Sequence, residues 1–489
     1  IRTSMKILYQ GTKGAYSQLA ALEVYSKAET ISCKTFEECF KKCSDDESLK
    51  TIIPVENSIA GRVADTQYLM NKYKLQIYAE HFHKVSHNLM SLPGVKIKDI
   101  KSVRSHSQAI SQCQKVINDN NLEPIIAADT AGSAKFISDN SKKAAFVVNE
   151  NGYSSLYLMN PKSFAFKKVT TMPIGLIGGM QFSKDNKSLG LTLNTYQSPS
   201  DTYVLDLKNN SLGFGSLTRW TFSEVGGLDT SKFAKPELIE YESFDGRKIP
   251  AFIYAQKTDN PQPVIISIHG GPEGQARPSF SSTYQLWMAN LGAAVITPNV
   301  RGSDGYGKNY LSLDNGFKRE DSVKDIGALL DWIETQPHLD SSRVAVYGGS
   351  YGGYMVLASA VHYSDRLKAA VDIVGISNFV TFLKNTKDYR RDLRRVEYGD
   401  ERDPAMESFL QKISPNNNVD QIKVPMFVVQ GENDPRVPVT EAEQIVQSLR
   451  ENNKKVWYMN ALNEGHGYRK KENRDIYQQA VILFLKENL

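Results

Sequence analysis

Cysteine is scarce in this sequence, with four residues in 489 and none after position 113. The four are Cys33, Cys39, Cys43 and Cys113. So few thiols in so long a chain do not build a disulfide framework, and their spacing fits no zinc knuckle. We therefore predict reduced structural thiols. Their confinement to one end of the chain indicates that its two ends have different origins.

Long apolar runs are also missing. No stretch approaches the ~18 consecutive apolar residues that a membrane span needs. The apolar segment Lys6–Gln10 is too short and too polar to be the core of a secretion signal. These absences predict a cytoplasmic protein that does not bind membranes.

A large excess of one charge is absent as well. The chain has 59 Lys and Arg residues and 54 Asp and Glu residues, so its formal net charge is +5. No basic stripe with interleaved aromatic residues stands out, so nucleic acid is not an expected partner. The short basic cluster Arg390–Arg395 is interrupted by Asp392. We interpret this cluster as a solvated helix face rather than a polyanion site.

What is present divides the chain into three patterns. Residues 5–145 alternate short strands with helices, which is typical of α/β folds. Residues 146–235 contain short strands separated by turn-forming pairs such as Asn151-Gly152, which indicate a small meander or one or two blades of a β-propeller. These roughly 90 residues cannot close a propeller, because each blade takes ~40–50 residues and a ring needs at least four. Residues 236–489 return to α/β alternation.

The strands of the last segment are near-continuous apolar runs, as a parallel sheet covered on both faces requires. They are predicted at Val264–Ile268, Ala293–Ile296, Val344–Tyr347, Ala369–Val374 and Met426–Val429. The strands of the middle segment are predicted at Phe146–Val148, Leu156–Leu158, Gly190–Leu193 and Tyr203–Leu205.

Ser350 lies between glycines, in the run Gly348–Gly353, directly after the predicted strand Val344–Tyr347 and before the helical run Tyr354–His362. A strand, a sharp glycine-rich turn and a helix are the parts of a nucleophile elbow. The turn needs glycines because it is strained and crowded. The alternative, an ordinary serine in a glycine turn, lacks this flanking context.

The two other members of a catalytic triad follow in the order that this fold uses. Asp434 comes just after the predicted strand Met426–Val429, and His466 lies in a glycine-flanked loop after the predicted strand Val456–Met459. Ser350 would attack a carbonyl carbon, His466 would take its proton, and Asp434 would orient the imidazole. One oxyanion donor would be the backbone N–H of Tyr351, and the second would come from the loop His269–Pro272.

These residues resemble the prolyl oligopeptidase family of serine peptidases, in its acylaminoacyl-peptidase-like branch, over residues 146–489. The further motifs that carry the resemblance are Asn299–Ser303, Gly305–Gly307 and Asn433–Pro438. The family implies an α/β-hydrolase domain at 236–489, a peptide substrate, and no metal or cofactor. It also implies Gly271 as the oxyanion donor and Arg436 as the group that holds a substrate backbone carbonyl. Esterases share the fold but usually lack that arginine.

The first 145 residues resemble a different enzyme, prephenate dehydratase. The segments that carry this resemblance are Gln10–Ser17, Ile53–Gly61, Ser105–Ala109 and Asp129–Ala134. The family implies a two-lobed, periplasmic-binding-protein-like α/β fold that converts prephenate to phenylpyruvate without metal or cofactor. The residues that would line its cleft are Asn57, Ser58, Ser105, Gln108 and Thr130.

This second resemblance is incomplete, because it stops near Ala145 and the family's catalytic Thr-Arg-Phe motif does not occur. Thr218-Arg219-Trp220 is similar but lies in the strand-rich segment, and we interpret it as a coincidence. The leading prediction is therefore a serine peptidase whose amino-terminal segment is inactive. The alternatives are an active prephenate dehydratase with a hydrolase tail, or a small-molecule-binding lobe that has lost its chemistry.

Overall fold

The computed structural model describes residues 5–11, 13–57, 61–62, 64–83, 102–105, 109–110, 113, 116–117, 122–126, 144–160, 163–183, 187–208 and 211–489. The chain divides into two compact units, Ile1–Val225 and Gly226–Leu489. None of the described helices is both long and apolar enough to span a bilayer.

The first part of the amino-terminal unit is built from short strands and helices. Its strands are β1 (Lys6–Gln10), β2 (Glu29–Cys33), β3 (Leu49–Ile52), β4 (Glu56–Asn57), β5 (Gly61–Arg62), β6 (Ser102–Ser105) and β7 (Glu123–Ile126). Its described helices are Tyr16–Val24, Phe36–Asp45 and Ala64–Tyr73. The strands β2, β1 and β3 pair in parallel in that order, with β1 in the centre. This arrangement confirms the predicted α/β character.

The thiols of this part are free, and Cys33 and Cys39 are buried. Both belong to a small apolar cluster with Leu8, on the central strand. Burial raises the pKa of the Cys39 thiol, so the group stays protonated and acts as a small apolar side chain. The prediction of reduced structural thiols is confirmed.

The second part of this unit consists of antiparallel strands. They are β8 (Ala144–Glu150), β9 (Tyr153–Met159), β10 (Phe166–Lys168), β11 (Gly175–Phe182), β12 (Ser188–Thr195), β13 (Ser198–Leu207) and β14 (Phe214–Arg219). They form a three-stranded sheet in the order β10-β9-β8 and a four-stranded sheet in the order β11-β12-β13-β14. Asn151 and Gly152 both have positive φ, 50° and 90°, as the tight turn of the β8–β9 hairpin requires. Each of the four predicted strands lies within one of these.

The carboxyl-terminal unit contains one large sheet. Its strands are β15 (Glu237–Glu242), β16 (Lys248–Tyr254), β17 (Gln262–Ile268), β18 (Ala294–Pro298), β19 (Leu339–Gly349), β20 (Ala369–Ile373), β21 (Met426–Gly431) and β22 (Val456–Ala461). Its helices are Ser282–Leu291, Lys308–Leu311, Asp321–Glu334, Tyr351–His362, Phe379–Asn385, Asp388–Tyr398, Pro404–Ile413, Val439–Glu451 and Lys471–Asn488.

The eight strands pair in the order β15-β16-β18-β17-β19-β20-β21-β22. The first two strands are antiparallel to their neighbours, and the rest of the sheet is parallel. Every residue of β17 is buried, because helices cover both faces of a parallel sheet. The carboxyl ends of the parallel strands lie at one edge, which is where α/β sheets place their sites.

Candidate active site

Ser350 occupies a strained turn between β19 and the helix Tyr351–His362. Its backbone has φ 60° and ψ −120°, a conformation that non-glycine residues seldom adopt. A Cβ added to Gly348 would collide with the carbonyl oxygen of Gly352, and one added to Gly352 would collide with that of Ile268. The glycines are therefore sterically required, as the sequence predicts, and the turn holds Ser350 at the first turn of the helix.

Asp434 and His466 are brought together by the loops that follow β21 and β22. The Nδ1 atom of His466 lies 2.7 Å from Oδ2 of Asp434, whose side chain is fully buried. The other carboxylate oxygen accepts hydrogen bonds from the backbone N–H groups of Arg436, at 2.8 Å, and Val437, at 3.1 Å. These bonds fix the orientation of the carboxylate, and the contact through Nδ1 leaves Nε2 of the imidazole for other partners.

The loop that carries His466 is fixed by its own contacts. Asn433 donates its backbone N–H to the carbonyl oxygen of Glu464 at 2.9 Å. The Glu464 carboxylate accepts from the backbone N–H of Lys470 and from the Asn473 amide, both at 2.8 Å. The histidine is thus positioned by backbone bonds to the Asp434 loop on one side and by a buried glutamate on the other.

The predicted oxyanion loop lies against the elbow. A Cβ on Gly270 would lie 2.8 Å from the carbonyl oxygen of Gly349 and 3.3 Å from Cβ of Ser350. Gly271 has φ 145°, which favours glycine. Its carbonyl oxygen accepts a hydrogen bond from Nη1 of Arg394 at 2.9 Å, and the Tyr398 hydroxyl lies 3.5 Å from the same oxygen. This carbonyl is therefore held from the helix Asp388–Tyr398.

Tyr351, the other predicted donor residue, is anchored through its side chain. Its hydroxyl group lies 3.1 Å from Nη1 of Arg319 and 2.9 Å from the hydroxyl of Ser322. Arg319 is fully buried and also pairs with Asp314. A second bond runs from Nη2 of Arg319 to the backbone carbonyl of Glu397, so this cluster extends to the helix that carries Arg394.

The basic cluster Arg390–Arg395 is helical, as predicted, but the prediction that it is a solvated face is wrong. The side chains of Arg394 and Arg395 are only 16% and 14% exposed. Arg394 pairs with Glu397, and Arg395 pairs with Glu401. These two cations are half-buried and pair with carboxylates three and six residues later, a signal that was present in the sequence.

Arg436 is exposed, and its backbone carbonyl accepts a hydrogen bond from the Thr386 hydroxyl at 2.8 Å. Burial lowers the pKa of Arg390, and the charges of Arg394 and Arg436 lower it further. Three guanidinium groups are therefore close enough to repel one another on this side of the site. Such a cluster is suited to carbonyl or carboxylate oxygens.

One buried acid near the Ser350 turn takes no part in the proposed triad. Asp372 is fully buried near the end of β20, and its carboxylate lies against the Cα atoms of Gly353 and Gly375. Burial raises its pKa to about 8, with only a backbone hydrogen bond from Gly375 opposing that effect. Asp372 was not among the site residues predicted from the sequence.

The structure describes two of the five residues predicted to line the cleft of the amino-terminal unit, Asn57 and Ser105. Ser105 is buried at the end of β6, which pairs in parallel with β7. Asn57 belongs to β4 by its backbone. Ser58, Gln108 and Thr130 lie outside the described residues. Thr218 and Arg219 belong to β14, where Arg219 forms an ion pair with the buried Asp201.

The sequence matches two families. Residues 7–162 match the prephenate dehydratase family, and residues 278–489 match the prolyl oligopeptidase family. The predicted combination of two unrelated enzyme families in one chain is confirmed. The second match covers most of the carboxyl-terminal unit.

Individual relatives match one part or the other. Dipeptidyl aminopeptidase BIII of Pseudoxanthomonas mexicana is 36% identical over 288 residues, which are 56% of this chain and 41% of that protein. The chloroplastic arogenate dehydratase/prephenate dehydratase 1 of Arabidopsis thaliana is 37% identical over 140 residues, which are 29% of this chain and 36% of that protein. The chain thus spans less than half the length of either relative.

A solved structure shares the fold. The puromycin-hydrolyzing peptidase of Mycobacterium tuberculosis superposes with a TM-score of 0.61, covering 69% of this chain and 51% of the other, at 22% sequence identity. At this identity the likeness concerns the fold alone.

Proposed function

We propose that the carboxyl-terminal unit hydrolyses peptide bonds through an acyl-enzyme, with Ser350 as nucleophile, His466 as base and Asp434 as orienting acid. The observation that carries the proposal is the 2.7 Å contact between His466 and the buried Asp434 carboxylate, at the same sheet edge as the strained Ser350 turn. The match to the prolyl oligopeptidase family supports the same conclusion.

In this mechanism Nε2 of His466 takes the proton from Oγ of Ser350 as that oxygen attacks the scissile carbonyl carbon. The carbonyl oxygen becomes an oxyanion that the backbone N–H groups of Tyr351 and Gly271 stabilise. His466 then gives its proton to the leaving amine. Water, activated by the same imidazole, attacks the acyl-enzyme and releases the acid product.

Substrate choice rests on Arg436. Its guanidinium is exposed, and its backbone is fixed beside the acid loop. We infer that it donates hydrogen bonds to a backbone carbonyl on the amino-terminal side of the scissile bond. A peptide presents that carbonyl, whereas a simple ester does not.

The strand-rich segment at 146–235 is, in this proposal, an incomplete β-propeller. The four-stranded antiparallel meander β11-β12-β13-β14 has the number and order of strands of one propeller blade. The three-stranded sheet shares an apolar core with it through Leu156 and Leu191. Because two such sheets cannot enclose a site, we expect hydrolysis to discriminate little between short and long peptides.

The amino-terminal segment supports a second candidate function. Its match to prephenate dehydratases favours a binding-protein-like lobe for a small dicarboxylate. We propose that this lobe retains at most ligand binding, since the sequence has no Thr-Arg-Phe motif.

A fluorophosphonate probe tests the peptidase proposal, because it labels only activated serines. We expect labelling of the full chain, with the probe mapped to Ser350. Ser350→Ala should abolish labelling and reduce peptide turnover by ~10⁴–10⁶-fold. Ser342→Ala, on the exposed part of the same strand, is the matched control and should label normally. Labelling that survives in Ser350→Ala would refute the assignment.

A further inference from the structure

Two histidines and a glutamate converge in the amino-terminal unit. The Oε2 atom of Glu23 lies 2.9 Å from Nε2 of His81 and 2.8 Å from Nδ1 of His83. All three atoms lie within 4.8 Å of one another. Glu23 belongs to the helix Tyr16–Val24, and the histidines come from a segment without helix or strand structure. Two imidazoles thus face the same oxygen of one carboxylate.

The site is held in place by aromatic packing. The ring of Tyr16, at the start of the same helix, has its centroid 5.7 Å from that of His83. Imidazole nitrogens and carboxylate oxygens are ligand atoms that divalent transition metals accept.

The geometry points to a divalent transition-metal site formed by Glu23, His81 and His83. Zinc binds imidazole nitrogen and carboxylate oxygen at about 2.0–2.2 Å, which places tetrahedral ligand atoms about 3.4 Å apart. The separations of 2.8 and 2.9 Å between the Glu23 oxygen and the two imidazole nitrogens therefore need to lengthen by only about half an ångström each to reach that spacing. Three protein ligands leave the fourth position to water.

This inference is independent of the proposed peptidase function. It also departs from the expectation of a chain without metal. The sequence contains only a His-x-His pair, and the carboxylate lies 58 residues before His81, so no spacing motif reveals the third ligand. Among the described residues, this is the only group of three such side chains with metal-binding spacing. A bound ion would link the helix to the 81–83 segment and stabilise the unit.

The test is a titration of the chelator-treated full chain with Co²⁺, followed by displacement with Zn²⁺. We expect one Co²⁺ per chain, with the visible absorption of a four- or five-coordinate ion, and a higher melting temperature with Zn²⁺. Glu23→Gln, His81→Ala and His83→Ala should each weaken binding by at least ~10-fold, because even outer-sphere substitutions cost that much. His362→Ala, which removes an imidazole paired with Glu320, is the matched control.

The ligand side chains are partly exposed, so the variants should fold, and circular dichroism verifies this. The inference is overturned if the wild-type chain binds Co²⁺ no more tightly than Glu23→Gln. It is equally overturned if Zn²⁺ raises the melting temperature of the triple variant as much as that of the wild type.

Discussion

Arg394 donates a hydrogen bond from Nη1 to the carbonyl oxygen of Gly271 at 2.9 Å, across 123 residues of sequence. The same guanidinium pairs with Glu397, whose backbone carbonyl accepts a bond from the buried Arg319. Arg319 in turn contacts the hydroxyl of Tyr351 at 3.1 Å. The two residues proposed to donate to the oxyanion are therefore tied to one ionic cluster.

We predict that Arg394→Ala lowers kcat by ~10–100-fold with little change in KM, because a displacement near 1 Å at an oxyanion donor has a cost of that order. The kcat of Arg394→Lys should lie between those of the wild type and Arg394→Ala, because one ammonium cannot bond Gly271 and Glu397 in the same geometry. Arg395→Lys is the matched control, because Arg395 pairs with Glu401 and makes no described contact with Gly271. Equal kcat losses at positions 394 and 395 would indicate a merely structural role.

The sequence predicts the catalytic residues of this site better than the residues that hold them in place. Ser350, Asp434 and His466 follow predicted strands in family order, so their common sheet edge could be anticipated. Arg394 could not be assigned to the oxyanion loop, because no local pattern connects residues so far apart. The glutamate three residues later, which pairs with Arg394, was a signal that the prediction of a solvated face overlooked.

Asp434→Asn should reduce kcat by about 10⁴-fold, the scale of this substitution in serine-protease triads. The amide oxygen would stay with the backbone N–H groups of Arg436 and Val437, which need an acceptor. The amide NH₂ would then face Nδ1 of His466, and the imidazole would be held in the wrong tautomer. Kinetics on a dipeptidyl substrate measure the loss. Asp420→Asn, an exposed position, should be silent, and near-normal activity in Asp434→Asn would contradict the triad.

Arg436→Ala should impair dipeptidyl substrates ~10–150-fold more than small acetate esters. A charge-assisted hydrogen bond to the substrate is worth roughly 1.5–3 kcal/mol, and only the peptide presents its acceptor. The measurement is the ratio of kcat/KM for the two substrates, taken for the wild type and for Arg436→Ala. The ester reaction of each protein serves as the control for its peptide reaction. Equal losses on both would show that Arg436 supports the Asp434 loop instead.

The parallel strands of the carboxyl-terminal unit were predictable, and its two antiparallel strands were not. All six predicted strands of this unit overlap observed ones, because parallel strands between covering layers are apolar. The antiparallel strands β15, at one edge of the sheet, and β16, next to it, were not predicted. In β15, Glu-Leu-Ile-Glu-Tyr-Glu mixes exposed acids with apolar residues, as an antiparallel edge allows.

Asp372→Asn should make the unfolding free energy less dependent on pH. The folded carboxyl has a pKa of about 8, whereas an unfolded aspartate titrates near 3.9. Between these values only the folded state keeps the proton. The contribution of Asp372 to the unfolding free energy is therefore fully present below about pH 4. It falls by up to ~1.4 kcal/mol per pH unit until about pH 8. Urea unfolding at several pH values should show the variant gaining on the wild type as pH rises. A constant difference would refute the raised pKa.

The chain should form no phenylpyruvate from prephenate, although residues 7–162 match the dehydratase family. That chemistry needs a hydroxyl placed against the leaving group, and errors near 1 Å already cost ~10²-fold. The Thr-Arg-Phe motif is absent, and in Thr218-Arg219-Trp220 the arginine is bound to the buried Asp201 within the β11–β14 sheet. Phenylpyruvate absorbance measures the outcome, with a complete prephenate dehydratase as positive control. Turnover that persists in Ser350→Ala and disappears in Thr218→Val would instead assign the hydroxyl to Thr218.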